Sequence, residues 1–285
     1  MKKKIILIIA ICVVLVTLVC IPKSTYQKLF SPNVDETPVN DNKEYLKMYV
    51  VNEENKIVGV NVHLDKIDED VIRQKWDILT SNINLLPSGY SSPITPSTVL
   101  NEYNIEDNKL ILQVSEEIKR SSGRLTIESL AWNFCNDKID EVILKVDDVI
   151  LSSINDCNFT KISKSIGVNY EFETSYLFEA DNITIVYYLD DIIYPVTYFY
   201  KDKNNCDYMI SKIFNMNNIE LLDYSYEISE DGLNIVFSND LSLNENVKET
   251  IIETVRINFD VDTITVSNVN NTLIEQTFVE VNNII

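Results

Sequence analysis

One stretch of this sequence occurs twice, and that duplication constrains the fold more than any other feature. Ile105-Glu106-Asp107-Asn108-Lys109-Leu110-Ile111-Leu112-Gln113-Val114-Ser115-Glu116-Glu117-Ile118 returns as Ile228-Ser229-Glu230-Asp231-Gly232-Leu233-Asn234-Ile235-Val236-Phe237-Ser238-Asn239-Asp240-Leu241, without a gap, at an offset of 228 − 105 = 123 residues. Both copies read as the end of a strand, an acidic turn and a second strand. A serine with an acidic or amide neighbour then leads into a helix. Asp140 to Leu144 matches Asp262 to Val266 after a one-residue gap, so the correspondence persists to the end of the unit. The chain therefore carries two copies of one small domain, which its 285 residues accommodate.

Hydrophobic periodicity fills in each copy. In the first, 47–51 and 57–63 alternate as a hairpin, and 68–79 has helical spacing at Val71, Ile72, Trp76 and Leu79. A second hairpin spans 99–105 and 110–114. A helix over 126–134 and a strand over 142–146 close the copy, with Asp147-Asp148 turning into 149–151. The second copy repeats this order at 183–189, 194–200, 207–214, 219–228, 233–237, 247–257 and 261–266, with Asn270-Asn271 turning into 272–274. The expected fold is α+β, two tandem copies of a small β-β-α-β-β-α-β sandwich with two helices on one sheet face. The expected domains are 44–155 and 183–285. The joining segment 156–182 contains Tyr170-Glu171-Phe172-Glu173, which reads either as an extra strand or as a packed linker.

The N-terminus predicts location. Lys2, Lys3 and Lys4 precede an apolar run from Ile5 to Ile21 broken only by Thr17. This length suits a minimal spanning helix, with the lysines cytoplasmic and the rest of the chain outside. The competing reading of residues 1–22 is a lipoprotein signal with Cys20 lipidated, although Val19 is bulky for the residue before such a cysteine. Ordinary cleavage is the third. All three place the domains on the extracytoplasmic side of the cell membrane. Residues 23–43, with Pro32 and Pro38, read as a flexible tether. Beyond residue 21 the chain keeps 24 − 3 = 21 basic residues against 44 acidic ones, a net of 21 − 44 = −23. Such a surface repels nucleic acid and anionic lipid headgroups. It would accept a basic partner or divalent cations, or serve solubility alone.

No catalytic or cofactor-binding set emerges. His63, the one histidine, has no serine elbow or Gly-flanked cysteine to work with. One histidine and the dispersed Cys135, Cys157 and Cys206 give no Cys/His metal spacing. The three thiols allow at most one disulfide, for which Cys135–Cys157 is the first candidate pair, but buried free thiols are the leading reading. Glu106-Asp107, Asp147-Asp148 and Asp190-Asp191 are acidic enough for Ca²⁺, yet each sits between strands where Asp and Asn favour turns. Paired carboxylates for glycan hydrolysis have no distinguishing spacing, and with 5 Gly there is no phosphate loop.

The run Leu86-Pro87-Ser88-Gly89, then Asn108-Lys109-Leu110-Ile111-Leu112-Gln113-Val114-Ser115, a helix around Leu130 and Trp132, and Ile139-Asp140-Glu141-Val142-Ile143-Leu144 ahead of Asp147-Asp148 resembles the GerMN domain family of sporulation and spore-germination proteins. The second copy lacks the Leu-Pro-Ser-Gly turn. The resemblance implies two tandem GerMN domains behind a membrane or lipid attachment. It also implies a non-enzymatic scaffold whose partners are other cell-envelope proteins, bound through exposed sheet edges or open sheet faces. The alternative is a module that binds or modifies peptidoglycan, for which Tyr187, Tyr188, Tyr194, Tyr198 and Tyr200 would have to form an exposed aromatic shelf.

Overall fold

Asp and Asn residues in left-handed conformations set the hairpins. Asp107 and Asn108 lie at φ 48° and 58°, and Asp147 and Asp148 at 48° and 62°. They are flanked by the strand pairs Glu106–Lys109 and Val146–Val149. Two consecutive positive φ values match the right-handed strand twist, and Asp and Asn tolerate them best among non-glycine residues. Asp190 adopts the same conformation at φ 55°. The aspartates of these acidic pairs are therefore turn residues, and Glu106 ends β3.

The computed structural model describes residues 44–229 and 231–278. The apolar segment 5–21, Cys20 and the tether lie outside them. Among the described residues no helix is long and apolar enough to cross a membrane. The first copy contains β1 (Glu44–Val51), β2 (Ile57–Leu64), α1 (Val71–Thr80), β3 (Leu100–Glu106), β4 (Lys109–Val114), α2 (Gly123–Phe134), β5 (Glu141–Val146) and β6 (Val149–Ile150). The joining segment adds β7 (Ser153–Ile154), β8 (Cys157–Asn158) and β9 (Glu171–Phe172). The second copy contains β10 (Asp181–Leu189), β11 (Ile192–Tyr200), α3 (Asn205–Met216), β12 (Tyr224–Ile228), β13 (Leu233–Phe237), α4 (Glu245–Asn258), β14 (Thr263–Asn268) and β15 (Thr272–Thr277). This is the duplicated β-β-α-β-β-α-β order read from the sequence, in an α+β architecture. Three helices open on side-chain caps, from Asp70 on α1, Asn204 on α3 and Asn244 on α4.

The strands of each copy divide between two sheets rather than forming one. In each copy the second hairpin joins the strand after the second helix, giving the sheets β3-β4-β5-β6 and β12-β13-β14-β15 with one parallel pair apiece. The two first hairpins instead meet each other. β2 pairs antiparallel with β11 at Val60–Ile192 and Gly59–Ile193, so β1-β2-β11-β10 is one sheet spanning both copies. Val186 and Ile193 of the second copy accordingly pack in the hydrophobic core of the first.

The joining segment proves to be both strand and packed linker. β9 pairs parallel with the far half of β11 at Tyr198–Glu171 and Phe199–Phe172. Upstream, the Thr197 N–H donates to the Val168 carbonyl at 2.8 Å. Asn169, buried and at φ 46°, plugs the centre of the shared sheet. Its Oδ1 accepts from the Ile57 N–H at 2.8 Å, and its Nδ2 donates to the carbonyls of Ile57 at 2.7 Å and Pro195 at 2.8 Å. Pro195 lacks an N–H. It stands opposite Val186, whose own N–H turns away from β11 toward α4, so the ladder loses no bond there.

Gly59 marks the joint. A Cβ there would lie 2.9 Å from the Tyr49 ring and 3.1 Å from the Ile193 Cβ, so only glycine lets Tyr49 lie across β2 where β11 approaches.

Two substitutions test the joint by urea denaturation. Asn169→Ala strands three buried backbone groups and should cost about 3 kcal/mol, at roughly 1 kcal/mol for each lost bond. Gly59→Val should cost about 1–3 kcal/mol through overpacking. A change below about 0.5 kcal/mol at both positions contradicts the assigned role of the joint.

Candidate functional site

The second helix of each copy runs along an outer edge of the shared sheet and covers it with side chains. On α2, Asn133 pairs reciprocally with Tyr49 of β1. Its Oδ1 accepts from the Tyr49 N–H at 2.9 Å and its Nδ2 donates to the Tyr49 carbonyl at 2.7 Å. Ser129 Oγ, one turn earlier, donates to the same carbonyl at 2.7 Å. On α4, Asn258 makes the same reciprocal pair with Thr184 of β10, at 2.8 and 2.7 Å. Thr254 and Thr250 accept the next outward N–H groups, from Val186 and Tyr188, at 3.1 Å each. The residues Thr250, Thr254 and Asn258 recur every four positions and so share one helix face. The outer edges of the shared sheet are thus closed along these stretches. The outer strands of the two smaller sheets, β3 and β6 of one and β12 and β15 of the other, carry mostly exposed residues.

Between the two copies lies a cleft of about 300 Å³, formed by the segment that follows α2, the second half of α4 and the linker. Arg256 of α4 bridges the copies to Asp137 and is braced by Glu253 at 3.1 Å. Lys164 Nζ sits 5.2 Å from the Trp132 ring centroid, Lys47 Nζ 5.7 Å from that of Tyr188, and the Tyr49 and Trp132 rings lie 5.2 Å apart. Cations facing aromatic rings in a half-dry seam gain of order 0.5–2 kcal/mol each. Lys75 Nζ donates to the Asn133 carbonyl at 2.7 Å, near the end of α2 where cations are favoured.

Burial lowers the Lys164 ammonium, which lines the cleft, below the usual lysine range. Burial pushes the Cys135 thiol up to about 11, so it stays protonated near neutral pH, with its Sγ 3.8 Å from the Ile162 carbonyl. Burial also raises the Tyr49 and Tyr188 hydroxyls above the usual tyrosine range, which keeps them neutral. The cleft is a seam that fixes one copy against the other.

The residues singled out in the sequence are dispersed. His63 is exposed on β2 with its ring 4.6 Å from that of Tyr45. Cys135, Cys157 and Cys206 are free thiols, the first and last buried, in line with the leading expectation and without the Cys135–Cys157 disulfide that was its alternative. Among the described residues no three His, Cys, Asp or Glu side chains converge as a metal set. The five tyrosines form no shelf. Tyr187 and Tyr200 are buried in the second core; Tyr200 stacks on Tyr208 at 3.6 Å between centroids, and the Tyr187 and Tyr198 hydroxyls bond at 3.2 Å. The edge-covering set Ser129, Asn133, Thr250, Thr254 and Asn258 went unread. Its only sequence signal is a polar stripe of four-residue spacing inside otherwise apolar helices.

This arrangement has a solved counterpart. The tandem GerMN domains of the sporulation protein GerM from Bacillus subtilis superpose with a TM-score of 0.67, covering 84% of this chain and 98% of that one at 17% identity. The fold is that of tandem GerMN domains. The first GerMN domain of the same protein matches 43% of this chain at 20% identity, with a TM-score of 0.38. No protein-family model and no curated protein sequence matches the chain. The Leu86-Pro87-Ser88-Gly89 turn through which the sequence resembles GerMN domains follows α1, with Gly89 at φ 87°.

The seam yields a pH signature. Burial, then Lys164 and Lys47, lowers Lys75 to about 8. The unfolded value is roughly 10.4. Between these values the unfolded chain holds more protons at this site, so its contribution to stability rises with pH across about 8 to 10.4. The stability of wild type relative to Lys75→Met, followed by urea denaturation, should climb through that window. A flat difference contradicts the burial of this ammonium.

Proposed function

We propose that this protein is a non-enzymatic scaffold of the cell envelope with a role in sporulation or germination. It is held at the extracytoplasmic face of the membrane through residues 5–21 or through lipidated Cys20. The observation that carries this reading is the tandem GerMN fold shared with a sporulation protein over nearly the whole described chain. Further support comes from the apolar segment behind Lys2, Lys3 and Lys4, and from the Arg256–Asp137 ion pair that ties the two copies together. A scaffold needs surfaces held at a set geometry, and the shared sheet supplies that for the two smaller sheets.

Docking then falls to the outer strands of the smaller sheets, β12 and β3 first among them, by strand addition. The acidity of the chain favours a basic partner. In-cell cross-linking of the tagged full-length protein, with mass spectrometry of the captured species, should recover a defined set of envelope proteins enriched in sporulating cells. Ser225→Lys with Glu227→Lys on β12 should lower that recovery by about tenfold, because like charge opposes a basic partner. Equal recovery in growing and sporulating cells would overturn the sporulation role. Unchanged recovery with the β12 variant would remove that edge as the docking site.

A further inference from the structure

A second cavity, of about 500 Å³, lies away from the seam, between the first half of α2 and the linker around β8. Its size falls within the range of small-molecule sites, roughly 300–1,000 Å³. Apolar contact comes from Ile127, Phe159 and Ile166.

The polar groups are few and placed together. Glu128 is almost fully enclosed, with its side chain 3% exposed, and accepts from Arg124 Nε at 2.5 Å. The Arg124 guanidinium lies flat on Tyr170, 3.4 Å from the ring centroid, and stays half exposed at 48%. Glu128 engages the guanidinium at Nε, and nearly half of the Arg124 side chain stays open to solvent. Lys161 on the rim is exposed and makes no ion pair among the described residues. The groove thus holds two cations against one anion, a net of 2 − 1 = +1, in a chain of net charge −20.

That combination selects among ligands. An anion is attracted by Arg124 and Lys161, while the fixed Glu128 carboxylate opposes a second negative charge. The planar guanidinium fork matches a carboxylate. The flat Arg124–Tyr170 stack and the apolar wall suit a flat, uncharged body. We propose that this groove binds a small monocarboxylate with a flat apolar body. The acid group contacts Arg124 and Lys161, and the body lies against Ile127, Phe159 and Ile166. This site is independent of the scaffold reading.

Cys157 borders the groove and is half-buried, whereas Cys135 and Cys206 are buried. It therefore serves as a reporter. The full-length protein is alkylated with a maleimide in the presence of 2-naphthoate or of 2-naphthamide, its uncharged isostere, and Cys157 modification is read by peptide mass spectrometry. Saturating 2-naphthoate should slow the reaction at Cys157 by about fivefold or more, and 2-naphthamide by less than about twofold. Lys161→Glu, an exposed substitution that leaves the fold intact, should weaken 2-naphthoate binding by roughly fivefold in calorimetry. Replacing the pair by Arg124→Gln with Glu128→Gln should abolish protection. Absence of protection in the wild type, equal protection by acid and amide, or full protection in both variants would each overturn the proposal.

Discussion

A strand at the edge of a sheet exposes backbone N–H and C=O groups that must find partners once buried, and this requirement organises the structure. Three asparagines meet it in the same way. Asn133, Asn169 and Asn258 each accept from the N–H and donate to the carbonyl of a single strand residue, namely Tyr49, Ile57 and Thr184. A side-chain amide carries the same donor and acceptor as a peptide group, so each substitutes for one residue of a missing strand. Two such amides close the outer strands of the shared sheet. The third joins its two halves where β2 and β11 diverge.

These bonds explain the unusual make-up of α2. From Thr126 to Phe134 the helix is buried on all sides, with Thr126, Glu128, Ser129 and Asn133 among its buried residues. These four side chains are each satisfied, whereas the Trp132 indole N–H on the same helix has no hydrogen-bond partner among the described residues. Thr126 donates to the Pro93 carbonyl, Glu128 holds Arg124, and Ser129 and Asn133 hold Tyr49. An unsatisfied group in such a place costs about 1–3 kcal/mol, so the polar stripe is fixed by the strand it faces rather than by helix propensity. The α4 stripe follows the same logic with threonine in place of serine.

Much of this was legible in the sequence. The fourteen-position repeat between Ile105 and Ile118, alternation in the hairpins, and turn chemistry at Asp107-Asn108 and Asp147-Asp148 are local signals, and they gave the element order and the α+β class. The assignment of hairpins to sheets was not legible. Pairing of β2 with β11 joins Val60 to Ile192, and no local pattern encodes a partner so far along the chain. Asn169 lies in the joining segment without a local signal of its own, and Gly59 is a lone glycine within a strand, a pattern that accompanies close backbone approach. The groove around Arg124 and Glu128 was equally hidden, because an Arg and a Glu four residues apart on a helix look like a common surface pair until the linker covers them.

The joint between the copies has one further consequence. It sets the second strand of one hairpin against the second strand of the other, antiparallel, which is the contact a two-fold symmetric dimer of single domains would make. Duplication within one chain turns that dimer contact into an internal one. Its occupancy then depends on the effective concentration imposed by the linker instead of on how many molecules the cell contains. The paired geometry therefore persists at the lowest copy number, down to a single molecule.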